Sequence, residues 1–198
     1  MDENRTLHPW ELALMLSVCI ALLIGTWAGA RQEGLADHLV RLHVIAHSDS
    51  EADQAEKLRV RNAVLAYLTP KLEGAKTVSD ARAVLFAEQD GIRRAAQRET
   101  DRNVTVTLTR EHYPTRDYGS FALPAGTYPS LRVILGSGQG HNWWCVVFPP
   151  LCTAESIASE PVETLSKDDV RLITADGADY VIKFRLLEWY DAIKEALS

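Results

Sequence analysis

Gly136-Ser137-Gly138-Gln139-Gly140-His141-Asn142-Trp143-Trp144-Cys145-Val146-Val147-Phe148-Pro149-Pro150-Leu151-Cys152 is the stretch from which the fold is read. Three glycines loosen its first half. Trp143 to Phe148 is then wholly apolar until Pro149-Pro150 stops the run. A short apolar run bounded by turn residues reads as a strand buried on both faces. Side chains alternate along a strand, so Trp143, Cys145 and Val147 share one face and Trp144, Val146 and Phe148 the other. The expectation is the central strand of a domain, entered from a flexible glycine hairpin loop.

Working outward, Leu131 to Leu135 predicts a second strand, and the short connection over 136–142 favours an antiparallel neighbour. Val104, Val106 and Leu108 alternate with Thr105, Thr107 and Thr109, which predicts a strand with one wet face. Tyr113 to Leu123 carries a weaker signal for a short strand pair. Leu39 to His47 reads as a further strand. Behind it, Ser50 and Asp53 resemble a capping box and open a helix to about Leu68. Leu58, Val64, Leu65 and Leu68 form the apolar side of that helix, Lys57 and Arg61 an exposed pair, and Pro70 discourages continuation. A second helix starts near Ser79 behind Thr77 and Asp80, weakened at Gly91 by about 1 kcal/mol relative to alanine. Tyr180 to Phe184 alternates briefly, and Arg185 to Leu197 predicts a closing amphipathic helix. The fold class is therefore α+β, one domain over 31–198 with a mainly antiparallel, meander-like sheet and three or so packed helices.

Ahead of that domain, Leu12 to Ala30 carries no charge and has no polar face. It comes close to the roughly 20 apolar residues of a spanning helix and also contains the shorter core of a signal peptide. Ala28-Gly29-Ala30 before Arg31 fits a small-x-small cleavage site. Residues 1–30 are thus expected to be an export signal peptide or a membrane anchor, with cleavage between Ala30 and Arg31 left open. Arg31 to Asp37 reads as a short polar linker. Export places Cys145 and Cys152 in a compartment where disulfides persist, while Cys19 falls in the leader. A Cys145–Cys152 disulfide and two buried thiols both remain open. The net charge of −6 and the lack of a dense Lys/Arg cluster argue against nucleic-acid binding.

Cys145 and His141, with Asn142 to orient the imidazole, are the residues an exported cysteine hydrolase would use. A cysteine inside an apolar strand argues against this, because burial disfavours the thiolate. Metal binding by His141, Cys145 and Cys152 also fails on distance. Four residues of extended strand span about 13 Å, against metal–ligand bonds of about 2.0–2.3 Å. His43 and His47 share that spacing and read as hydrogen-bonded sheet histidines. Gly136, Gly138 and Gly140 miss the dinucleotide-loop spacing, and no helix follows them. Asp168, Asp169, Asp176 and Asp179 read as solvated acids. No cofactor, metal or small-molecule substrate is expected. Asn142-Trp143-Trp144 supports two readings: indoles buried on both faces of the sheet, or an aromatic left at the surface as a partner-contact point.

Three segments carry a resemblance. The first is Leu42-His43-Val44-Ile45-Ala46-His47-Ser48-Asp49-Ser50 with Asp53-Gln54, Lys57 and Val60-Arg61. The second is Gly138 to Cys152, and the third is Lys183-Phe184 to Glu188-Trp189. Together they resemble the stage II sporulation protein R family of endospore-forming bacteria, over nearly all of the chain after the leader. The resemblance implies a signalling protein, not a catalyst. It implies export from the forespore into the space between the forespore and mother-cell membranes. There, a membrane-embedded aspartic protease would be triggered to cleave a sigma-factor precursor. No catalytic residues come with the resemblance. His141, Asn142, Trp143 and Trp144 are the candidate partner-contact residues.

Overall fold

The computed structural model describes residues 8–118 and 121–151, without side chains 24, 25 and 27–33. The strand and closing helix expected after residue 151, the acids at 168–179 and Cys152 lie outside the described residues. In chain order the elements are α1 (Pro9–Ala36), β1 (Val40–Ile45), α2 (Glu51–Leu72), α3 (Val78–Ala87) and α4 (Gln89–Gln97). They are followed by β2 (Val104–Tyr113), β3 (Arg116–Asp117), β4 (Ala122–Leu123), β5 (Gly126–Leu135) and β6 (Asn142–Phe148).

The main sheet has the order β2-β5-β1-β6, and β3 and β4 form a separate small pair. β2–β5 and β1–β6 are antiparallel, whereas β1–β5 is parallel, with Arg41 opposite Ser130 and Ile45 opposite Ile134. The α+β class and the mainly antiparallel sheet hold, with one parallel pair at the centre. Among the described residues β1 has neighbours on both sides and all six of its residues are buried, while β6 has β1 alone. The polar Arg41 and His43 disguise β1, because each finds partners that make its burial tolerable. Nor is the 136–141 connection a hairpin. β5 and β6 run antiparallel, but β1 lies between them, so the loop crosses the end of β1.

One face of the sheet packs on helices. Leu42, Val44, Leu131, Val133 and Leu135 meet Val60, Val64, Leu68, Leu85, Ile92 and Ala96. Along α2 the buried positions are Asp53, Lys57, Val60, Val64, Leu68 and Leu72, a helical stripe. Lys57 is therefore inside and not half of a surface pair with Arg61, and Leu58 is 39% exposed. α2 also runs through Pro70 to Leu72, although proline there lacks the N–H that the Ala66 carbonyl would otherwise accept. The helix expected after Thr77 is two helices, broken at Glu88. The Glu88 carboxylate accepts bonds from Tyr67 Oη (2.5 Å) and Lys71 Nζ (2.8 Å). Gly91 follows from the same packing, since a Cβ there would stand 1.9 Å from Tyr67 Oη.

The second core cluster lies on the other face: Leu35, Ala36 and Leu39 with Tyr113, Phe121, Leu123, Tyr128 and Val146. The expected linker at 31–37 is instead the last part of α1, tied down by Leu35 and Ala36. From Trp10 to Leu23 the large apolar side chains of α1 are exposed. Among the described residues no helix is long and apolar enough to cross a membrane. The span expected over Leu12–Ala30 falls partly on side chains outside that description.

Candidate functional site

β1 ends at Ile45, and the chain turns through Ala46–Ser50 into α2. Ser50 caps the helix by accepting from the Asp53 N–H (3.2 Å). Asp53 does not complete a reciprocal box. Its carboxylate accepts from Ser48 Oγ (2.5 Å) and Arg102 Nη2 (2.7 Å). Ser48 first, and Arg102 with it, hold the Asp53 carboxyl below the ordinary carboxylate range. Gln54 Nε2 donates to Ser48 O (2.9 Å), which closes the turn.

The glycine loop lies on this turn. Gln139 N donates to His47 O (3.2 Å), Gly140 N to Ala46 O (3.0 Å) and Ser137 N to His47 Nδ1 (3.0 Å). The His141 N–H donates to Asp49 Oδ1 (2.6 Å), and Lys57 Nζ donates to His141 O (2.9 Å) and Gln54 Oε1 (2.6 Å). Burial pulls the Lys57 ammonium below its usual range. Gly136 and Gly138 take φ of 56° and 63°, where glycine carries no Cβ penalty. At Gly140 a Cβ would lie 2.2 Å from Ser48 O. The glycines therefore permit close approach, and the expected flexible loop is pinned.

This junction presents the predicted contact residues. His141 is exposed, with Nδ1 2.5 Å from Asp49 Oδ1. Asn142 is exposed, and its Oδ1 lies 3.0 Å from His43 Nε2. Trp143 and Trp144 point to opposite faces, each half-buried. Trp143 packs on the helix-side core and has the Arg61 guanidinium 4.8 Å from its ring centre. Trp144 packs on the second cluster, 5.6 Å from the His43 ring, with the Arg116 guanidinium 4.0 Å above it. The expected cleavage point, Ala30–Arg31, lies within α1.

Sequence reasoning missed the polar cluster on the second face. His43 Nδ1 meets Glu111 Oε2 at 3.2 Å, Ser130 Oγ donates to the same carboxylate at 2.6 Å, and Arg132 Nε lies 3.4 Å from it. Arg41 is wholly buried over the Tyr113 and Tyr128 rings (4.0 and 5.2 Å from their centres) and donates to Tyr118 Oη. Burial raises all three phenol pKa values. The cluster is not arranged as a Ser-His-acid relay. Ser130 is buried and bonds the carboxylate, not the imidazole, and His43 turns its other nitrogen to Asn142. Cys145 is buried and already half of a disulfide, and His141 is engaged by Asp49, so the thiol–imidazole pair of a hydrolase is not assembled. Cys152 lies outside the described residues. Among the described residues no His, Cys, Asp and Glu groups gather to hold a metal ion.

The family model described as Stage II sporulation protein R matches residues 36–158. Stage II sporulation protein R of Bacillus subtilis (strain 168) is 33% identical over 134 residues, which is 65% of this chain and 60% of that protein. The match therefore spans less than two thirds of the relative's length. No solved structure matches. The matched span contains the turn after β1 and the glycine loop. It leaves out the Lys183–Trp189 ending, so the likeness covers less of the chain than the sequence suggested. The chain belongs to the stage II sporulation protein R family.

Proposed function

We propose that this chain is an exported, non-catalytic signal in sporulation. In this reading the N-terminal segment carries the domain across, or holds it at, the forespore membrane. The domain then engages the extracytoplasmic face of a membrane-embedded aspartic protease in the facing membrane and shifts it to the state that cleaves a sigma-factor precursor. The observation that carries the reading is the junction itself. The two family-matching segments meet there, and their glycine contacts serve to hold His141, Asn142 and Trp143 at one end of the sheet. A surface held rigid before binding loses little conformational freedom on docking, which favours a signalling ligand. To move a protease from about 1% to about 99% active, the domain must bind the active state roughly 10⁴-fold more tightly than the inactive one. We assign Cys152 as the disulfide partner of Cys145, a bond that suits an oxidising intermembrane space.

Co-purification of the full chain with the protease's membrane portion tests the reading. Native chain is expected to be retained. A folded His141→Ala/Asn142→Ala/Trp144→Ala variant is expected to be lost. Equal retention of both would dismiss this surface.

A further inference from the structure

Trp143 and Trp144 are neighbours on β6, so their indoles lie on opposite faces of the sheet, and each carries its own arginine. The Arg61 guanidinium, from α2, stands 4.8 Å from the Trp143 ring centre, and that of Arg116, from β3, stands 4.0 Å from the Trp144 ring centre. The two arginines arrive from elements far apart in sequence, yet they bracket the same two-residue step. Among the described residues Arg61 bonds the Asn62 side-chain oxygen alone (3.0 and 2.8 Å). Neither guanidinium has a carboxylate partner among the described residues, although acids outnumber bases in this chain by 27 to 21. Four other arginines do find carboxylates: Arg93, Arg102, Arg110 and Arg132.

A guanidinium held over an indole can still grip a carboxylate with its N–H groups, and the neutral Asn62 oxygen that accepts from Arg61 Nε and Nη2 is a partner a carboxylate can displace. Tryptophan and arginine are also the residues most enriched at the energetic centres of interfaces. We infer that the Arg61–Trp143 and Arg116–Trp144 stacks form a two-sided clamp for an acidic peptide segment of the signalling partner, with one carboxylate held on each face of the sheet. The inference rests on the signalling reading above and adds the partner's chemistry to it.

The test uses the full chain in detergent, a fluorescein-labelled decaglutamate probe and a decalysine control, followed by anisotropy. Decaglutamate is expected to bind and decalysine not to. Affinity is expected to fall at least 10-fold between 50 and 300 mM salt, as it should for exposed charge pairs about one Debye length or less apart. Arg61→Glu/Arg116→Glu is expected to abolish binding with the melting temperature unchanged. Arg61→Lys/Arg116→Lys, which keeps the charge and loses the planar fork, is expected to bind several-fold more weakly than native. No decaglutamate binding by the native chain, or equal binding by the charge-reversed variant, overturns the clamp. A second arm follows precursor processing by the membrane protease. If native chain triggers processing and the charge-reversed variant triggers it equally, the clamp is wrong and the signalling reading stands. If native chain binds decaglutamate but triggers nothing, the signalling reading is what fails.

Discussion

Replacing Gly140 by alanine tests the pinned loop directly. The added Cβ would stand 2.2 Å from Ser48 O, 2.6 Å from Ser48 C and 2.8 Å from Ala46 Cβ. Two of those atoms are backbone and cannot rotate away, so the loop must lift. Lifting breaks the Gly140 N–Ala46 O bond and strains its neighbours, Gln139 N–His47 O and His141 N–Asp49 Oδ1. At about 0.5–1.5 kcal/mol net per hydrogen bond, losing all three costs roughly 2–4 kcal/mol. For a chain of this length each kcal/mol moves the melting temperature by about 2–4 °C, so a drop of about 5–15 °C is expected. Gly74→Ala is the matched control. A Cβ there meets nothing within 4 Å, and its effect should stay below about 1 kcal/mol. Thermal unfolding of both variants, followed by far-ultraviolet circular dichroism, gives the comparison. A Gly140→Ala protein that melts with the native one would refute the claim that close approach, and not looseness, is what the glycine provides.

Leu68→Ala should cost about 2–5 kcal/mol, whereas Leu58→Ala should stay within about 0.5 kcal/mol. Urea midpoints would show it, and equal losses would contradict the buried stripe of α2. The carboxyls of Asp53, Asp80 and Glu88 all lie below their ordinary range, chiefly through Ser48, Thr77 and Lys71 respectively. Their stabilising effect is complete above the unfolded-state values of about 4 and is lost as pH falls through the lower folded values. The urea midpoint should therefore decline below about pH 4 and be level from about 5 to 7; a midpoint unchanged down to about pH 2 would contradict those pairings. For the assigned Cys145–Cys152 disulfide, thiol titration of the unfolded, non-reduced protein should find Cys19 alone, and Cys152→Ser should cost about 2 kcal/mol. Three titrating thiols would end the assignment.

Much of the architecture was legible because its signals are local. Thr77 with Asp80 forms the full capping box expected of that pair, and the Val104–Thr109 alternation became a strand with one wet face. The errors share a cause. The apolar run Trp143–Phe148 drew attention away from β1, which has sheet neighbours on both sides, because hydrophobicity marks burial but not position in a sheet. Arg41 and His43 made β1 look half-exposed, and only the fold supplies Tyr118, Glu111 and Asn142 as their partners. Lys57 looked solvated for the same reason, since its acceptor, the His141 carbonyl, is 84 residues away in the chain. The candidate contact residues were found from their composition. The arginines that cover the tryptophans were not, because nothing in the spacing of Arg61, Arg116 and the Trp pair reveals that they meet.

The most direct measurement is precursor processing in vesicles that carry the aspartic protease, with three additions compared: native chain, the Gly140→Ala variant, and native chain without the protease. The account predicts cleavage with the first, a marked loss with the second and none with the third. Cleavage in the absence of the protease, or full activity from the variant with its loop displaced, would contradict it.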